Sequence, residues 1–252
     1  MIRRTLMTVA LAACASQARA QGPVQFIPRY DFHLSAERLS QDDPRFAWDA
    51  NFGGQIDFVD YGFGRIQFGA NYEAVLGTEF RNFDPNQGAY RLDLATSARA
   101  HGNEFAATLR HTSRHLSDRF KRNAVDWNMV GVNVGHDVRR GALLVRPHAD
   151  LLGVILKSYV DYRWEANAGV DVRIPVHSHV AVISGGNVRF VGVDGTLNRE
   201  TQTGGRFEGG LRFDGEKGAI ELIVAGERRI DAYPLDTAAL SWVSAGFRFV
   251  SR

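Results

Sequence analysis

Cysteine, proline and long apolar runs are all scarce in this sequence. Cys14 is the single cysteine, so no disulfide can form within the chain, and backbone hydrogen bonds and packing must hold the fold. Beyond residue 20, the longest apolar run, near 151–156, is far shorter than the roughly twenty residues of a transmembrane helix. An α-helical membrane protein is therefore excluded. The net charge of +2 gives no support to a nucleic-acid partner.

The beginning of the chain has the parts of a secretory signal peptide. A positive start at 1–4 precedes an apolar stretch over 6–15, and Ala18-Arg19-Ala20 has the small-x-small form of a cleavage site. We predict that residues 1–20 are removed and that 21–252 form one domain. Alternatively, Leu11-Ala12-Ala13-Cys14 matches a lipoprotein box, and Cys14 would then carry a lipid.

Apolar and polar residues alternate along most of the remaining chain. Within 46–58, the polar parity includes Asp49, Asn51 and Asp57, while the other parity reads Phe46, Trp48, Ala50, Phe52, Gly54, Ile56 and Phe58. A period of two with one apolar and one wet face is typical of a β-strand at a boundary between hydrocarbon and water. We expect about twelve such strands. They lie near 24–34, 46–58, 63–76, 90–100, 105–114, 126–138, 143–156, 160–174, 179–191, 203–213, 219–230 and 239–250.

The connections between these strands alternate in length. Tight turns at 60–62, 101–103, 139–141 and 214–218 fall between longer segments such as 35–45 and 77–89. Short periplasmic turns and long extracellular loops are typical of outer-membrane barrels. Pro28 and Pro147 lie inside predicted strands, where each removes a ladder donor, so we expect bulges there.

A soluble sandwich is the competing fold, since its strands also alternate between two faces. It does not account for so charged a polar face, nor for aromatic residues near strand ends, where membrane interfaces place them. The sequence thus predicts an all-β protein, a single antiparallel transmembrane β-barrel in the bacterial outer membrane. The last strand, with Phe247 and Phe249, resembles the terminal recognition strand of outer-membrane proteins, which implies the barrel-assembly machinery as a partner.

The polar parity should point into the barrel lumen. Two interpretations remain open: rings of charge that select solutes in a narrow channel, or a salt-bridge network that plugs the barrel. The predicted lumenal charges are Asp49, Asp57, Arg65, Glu73, Arg91, Asp93, Arg99, Arg163, Glu165, Asp171, Arg173, Arg206, Glu208 and Arg212.

One set of residues could form a nucleophilic site on the outer wall. His111 and Ser113 continue the apolar parity of strand 105–114, and Asp126 continues that of the next strand. Serine becomes a nucleophile when an imidazole takes its proton and a carboxylate orients that imidazole. If Ser113 pairs opposite Asp126, the carboxylate lies diagonal to His111 and within side-chain reach.

The following loop is cationic and could grip glycolipid phosphates. The predicted binding residues are Arg114, His115, Asp118, Arg119, Lys121 and Arg122. The alternative is structural, because Ser and Asp side chains commonly hydrogen-bond turn backbones. No cofactor is expected. No metal is expected either, since His111 and His115 are too far apart along an extended strand to share an ion easily.

The motif His111-Thr112-Ser113-Arg114-His115-Leu116-Ser117-Asp118 resembles the H-x-S-x-H-L-x-D signature of a family of outer-membrane proteins of unknown function. Its H-x-S part, followed by an acidic residue on the next strand, is similar to the lipid A 3-O-deacylases. That resemblance implies Ser113 as nucleophile, His111 as general base and Asp126 as orienting acid, with outer-membrane lipids and lipopolysaccharide as partners. The functional expectation is a lipid A or phospholipid acyl-ester hydrolase. A passive pore or a structural barrel without catalytic activity is the alternative.

Overall fold

The computed structural model describes residues 23–117, 119–120 and 123–251, which form a closed antiparallel barrel. The predicted signal peptide and Cys14 lie outside the described residues. Across the described part of the chain, no helix is long and apolar enough to cross a membrane. The strands are β1 (Gln25–Leu39), β2 (Trp48–Asp60), β3 (Arg65–Gly77), β4 (Asp84–Ala100), β5 (Asn103–Leu116), β6 (Val125–His136), β7 (Val138–Arg140), β8 (Leu143–Ser158), β9 (Tyr162–His177), β10 (Val180–Val193), β11 (Gln202–Asp214), β12 (Gly218–Arg229) and β13 (Leu240–Ser251).

Apart from β6 and β7, for which no pairing with each other occurs among the described residues, each strand pairs with its neighbours in sequence, and the pairings β1–β13 and β6–β8 close the ring. β1 pairs with β13, with His33 opposite Val250 and Leu39 opposite Ser244. β6 and the short β7 both pair with β8, so together they act as one strand of a barrel of twelve. A closed sheet has no free edge, so its backbone donors and acceptors find partners on neighbouring strands, where hydrocarbon would offer none. The predicted strand number is confirmed.

The two prolines coincide with irregularities in the ladder. The pairing of β1 with β2 shifts register between Phe26 and Arg29, which flank Pro28. Pro147 on β8 lies between the residues that pair with β6 and those that pair with β7. Since proline has no backbone N–H to donate, each site loses a ladder bond and the strand pairing is interrupted there.

The outer wall of the barrel is apolar and its interior is polar. On β5, Phe105 and Leu109 are each 51% exposed, whereas the alternating Thr108 and Arg110 are only 2% and 6% exposed. A soluble sandwich would bury the apolar parity instead. This reversed arrangement is that of a barrel whose outer face meets lipid.

Ion pairs between distant strands cross the lumen. Arg206 on β11 lies 2.9 Å from Glu37 on β1, although β12 and β13 separate the two strands. Arg229 reaches Asp49 at 2.6 Å and Glu73 at 2.8 Å. The lumen therefore holds the mutual salt-bridge network that was one of the two interpretations of its charges.

One predicted lumenal charge lies elsewhere. A register shift at Gly192 and Val193, opposite the start of β9, moves the side-chain alternation by one residue. As a result Tyr162 is 2% exposed, and Arg163 is exposed on the outer wall. The prediction that Arg163 points into the lumen, which rested on its spacing to Glu165, is therefore wrong.

The end with the longer connections is closed by two of them. Residues 40–47 and 230–239, here called the mouth plug, fold into the barrel opening. Phe46 is fully buried and stacks on Trp242 with ring centroids 5.8 Å apart. The Arg45 guanidinium lies 4.7 Å from the Tyr233 ring centroid, so the two segments contact each other. From the loop lengths we assign this end to the cell exterior.

Candidate functional site on the outer wall

The predicted catalytic residues lie on the lipid-facing wall near the outer end of β5. His111, Ser113 and His115 continue the parity of the exposed Phe105 and Leu109. Ser113 is paired with Tyr90 on β4 and with Asp126 on β6. The predicted outward placement and the predicted pairing of Ser113 with Asp126 both match the structure.

The hydrogen bonds within this group differ from those expected. Ser113 Oγ lies 3.0 Å from Nε2 of His115, not from His111. Nδ1 of His111 lies 2.9 Å from Oδ1 of Asn128, so its partner is an amide and not the predicted carboxylate of Asp126. The reason is the register: cross-strand side chains are nearest when directly opposite, and His111 faces Asn128 while Asp126 faces Ser113.

Asn128 is the site residue that sequence reasoning missed. The predicted pairing of Ser113 with Asp126 already implies it, because moving two residues along each antiparallel strand places His111 opposite position 128. A carboxylate was predicted beside His111, but the amide oxygen of Asn128 can accept the same hydrogen bond.

A continuous row of aromatic rings leads along the wall to this site. Phe52, Tyr72 and Tyr90 are consecutive cross-strand partners on β2, β3 and β4. Their ring centroids are 5.2 and 4.7 Å apart, and the His115 ring meets Tyr90 edge-on at 5.6 Å. Tyrosines at this level match the belt that barrels place where hydrocarbon meets headgroups.

The cations predicted to bind lipid phosphates are engaged within the protein where the structure describes them. Arg114 has the lumenal parity of β5, and its guanidinium donates to the carbonyl oxygens of Asp231 at 2.6 Å and Ala232 at 3.1 Å. It thus holds the mouth plug, which corrects its predicted role. Arg119 donates to Glu79 and Asp84, both at 2.6 Å. Asp118, Lys121 and Arg122 lie outside the described residues.

The geometry provides the parts of a nucleophilic hydroxyl site. Because Oδ1 of Asn128 accepts a hydrogen bond, Nδ1 of His111 carries the proton, which leaves Nε2 as the basic nitrogen. Ser113 follows two residues later on the same face, roughly 7 Å away between Cα atoms, a distance that the two side chains can bridge. The hydroxyl therefore lies between two imidazoles, one of which is held in a fixed tautomer.

The lumen beneath the mouth plug contains separate charged cavities. One of about 390 Å³ lies toward the outer end and includes Arg91, Arg189 and Glu227 in its lining. Another of about 650 Å³ lies toward the opposite end, where it includes Arg29, Asp171 and Arg248. Trp127 and Arg189 both bind Glu165, at 2.8 and 2.9 Å, across the wall of the outer cavity.

Fold and wall chemistry together define a bacterial outer-membrane β-barrel, and solved structures of this class resemble it. The outer membrane phospholipase from Salmonella typhi, solved as a dimer with bound calcium, matches with a TM-score of 0.54 and 12% identity over 94% of each chain. An active-site asparagine-to-alanine mutant of outer membrane phospholipase A from Escherichia coli matches with 0.55 and 12%, covering 95% of this chain and 96% of that one. An outer membrane channel from Pseudomonas putida F1 matches with 0.50 and 10%, covering 93% and 98%.

No protein-family model and no curated protein matches the sequence. The resemblance to the signature family and to the deacylases accordingly stays a prediction. At these identities the structural neighbours establish the fold, and they include both enzymes and a channel.

Proposed function

We propose that this barrel is an acyl-ester hydrolase that acts on lipids of the outer leaflet, with Ser113 as the nucleophile. The observation that carries the proposal is the group on the lipid-facing wall: His111 oriented by Asn128, with the Ser113 hydroxyl beside it and 3.0 Å from His115. A substrate ester held at the headgroup boundary would reach this group directly from the membrane. A purely structural role would leave the placement of a serine and two imidazoles on the lipid-facing wall unexplained.

The proposed reaction proceeds in two steps with His111 as base and acid. Ser113 Oγ attacks the acyl carbonyl while its proton passes to Nε2 of His111, and the ester C–O bond breaks as that proton moves to the leaving alcohol. Water then cleaves the acyl-serine in the same manner and releases a fatty acid. Oδ1 of Asn128 accepts the hydrogen bond from Nδ1–H of His111 throughout and keeps Nε2 directed at the reacting oxygen.

In the resting arrangement, the Ser113 hydroxyl is bound to His115. Rotation about one side-chain bond brings it toward His111, since the three residues share one face of β5. The phospholipase neighbours support the role proposed for Asn128, because one of them has an asparagine in its active site. The lipid deacylase resemblance of the His111-Thr112-Ser113 motif supports the same substrate class, a lipid acyl ester.

The test is release of fatty acid by the purified full-length protein in detergent. Lipid A and a phospholipid are supplied separately, and the products are followed by mass spectrometry. We expect release from at least one substrate, and we expect Ser113→Ala to abolish it. Thr112→Ala is the matched control, because Thr112 is on the same strand but lines the lumenal cavity. Equal release by Ser113→Ala, or none from either lipid by the unmodified protein, would contradict the proposal.

A passive pore is the second candidate, favoured by the charged cavities at the two ends of the lumen. The salt bridges between distant strands narrow the path between these cavities, and the mouth plug narrows the outer entrance. A pore predicts discrete conductance steps in planar bilayers without any change to the mouth plug. Silence at all voltages would exclude it.

A further inference from the structure

A groove of about 620 Å³ lies on the outer wall of β9, β10, β11 and β12. Its floor contains Gly186, Gly205 and Gly226, and Val188 and Phe207 form part of its sides. Gly186 and Gly226 are the direct cross-strand partners of Phe207 on either side. Side chains are therefore absent where the rest of this wall has aliphatic ones, and a depression opens beside an aromatic ring.

The depression is open to the hydrocarbon phase. Phe207 is 67% exposed, and a Cβ added at Gly226 would meet nothing within 4 Å. At Gly186 an added Cβ would come within 3.2 Å of the Phe207 ring, so the ring leans to that side and leaves the Gly226 side unfilled. Such a cleft matches a flexible apolar chain better than a protein surface.

The charge at the outer end of the groove indicates which kind of lipid this apolar chain belongs to. Arg228 lies two residues beyond Gly226 toward the outer loops and has the same lipid-facing parity. Its Nε donates to the carbonyl oxygen of Thr203 at 3.2 Å, which fixes the guanidinium at the rim of the groove. An arginine facing lipid is costly at the bilayer midplane and nearly free at the interface, so Arg228 marks the headgroup level.

We propose that this groove binds an acyl chain of the phosphorylated glycolipid of the outer leaflet, and that Arg228 holds the phosphate of the same molecule. The guanidinium pairs with phosphate through parallel N–H bonds, and the apolar floor lies one step deeper, where the chain begins. β8 separates this surface from β6 and β5, so it is distinct from the Ser113 group and does not rest on the proposed hydrolase.

The experiment measures lipid A bound to the full-length barrel in detergent by native mass spectrometry. All proteins carry Ser113→Ala so that bound lipid is not consumed. Gly226→Leu fills the groove, and Arg228→Gln removes its cation. Gly209→Leu is the matched control, because Gly209 also faces lipid on β11, lies outside the groove and has only Ile183 O, at 3.9 Å, near an added Cβ. Heat-modifiable migration on gels confirms that each variant is folded.

We expect Gly226→Leu and Arg228→Gln each to weaken lipid A binding by about fivefold or more, and Gly209→Leu to leave it unchanged. Lipid A without phosphates should lose affinity for the unmodified groove and be insensitive to Arg228→Gln. Unchanged binding in folded Gly226→Leu would overturn the site. Equal displacement of lipid A by phosphatidylglycerol would overturn the choice of glycolipid.

Discussion

Nδ1 of His111 and Oδ1 of Asn128 are 2.9 Å apart, and the two residues face each other directly across β5 and β6. An imidazole whose Nδ1 proton is held by a neighbouring strand has one tautomer and one orientation. This pairing, and not one with the nearby carboxylate, defines what the outer-wall site can do.

Replacing Asn128 should therefore affect catalysis more than replacing Asp126. We expect Asn128→Ala to lower the rate of fatty-acid release by about 100-fold, because the base loses its orienting partner. Asp126→Asn, which keeps the shape of the side chain opposite Ser113, should stay close to the unmodified rate. Initial rates on a lipid substrate measure both. A larger loss in Asp126→Asn would restore the carboxylate to the role that the sequence predicted for it.

His115 and His111 should differ in their effect on the rate. Because the proposed reaction passes the Ser113 proton to His111 and not to His115, His115→Ala should cost less than about tenfold, whereas His111→Ala should cost about 100-fold or more. Fatty-acid release at several pH values compares the two. If His115→Ala is the inactive variant and His111→Ala is active, the proton acceptor is His115, and the proposed path of the proton is wrong.

Asp231 should stabilise the closed outer end of the barrel. Its carboxylate accepts hydrogen bonds from the Tyr162 hydroxyl and from Arg199 Nη1, each at 2.6 Å, and the residue is 6% exposed. Removing one partner of a buried charged group costs about 3–5 kcal/mol, so Asp231→Ala should lower the melting temperature and raise conductance in planar bilayers. Thr237→Ala, in the exposed part of the same loop, is the control. An unchanged melting transition would show that the mouth plug does not depend on this anchor.

Acid should weaken the other half of the mouth plug. Hydrogen bonds from the Arg45 side chain hold the pKa of Asp43 below its ordinary value. A carboxyl with a lowered pKa in the folded state stabilises it fully above the unfolded pKa of about 3.9, and that contribution is lost as the pH falls further. Asp43→Asn should therefore reduce the difference in conductance between pH 6 and pH 3. Identical pH dependence in both proteins would assign the effect to another group.

The strands were predictable because the signal is local. Alternation in Phe105, Ala107 and Leu109 fixes which face of β5 meets lipid, and the structure places His111 and Ser113 on that face as expected. Even Asn128 follows from the predicted register. Arg163 was misplaced because one bulge near Gly192 shifts the alternation, and such a shift leaves no pattern in the sequence of β9 itself.

The sequence by itself determined a chain whose period of two closes into a barrel with an apolar outside, since that pattern depends only on neighbours along a strand. The tertiary structure decided which charges meet and which hydroxyl meets which imidazole. Glu37 and Arg206 are 169 residues apart in sequence and pair across the lumen because strand number and register set the width between them. Arg114 turns inward to hold the mouth plug for the same reason: its partners at Asp231 and Ala232 come within reach only once the sheet is closed.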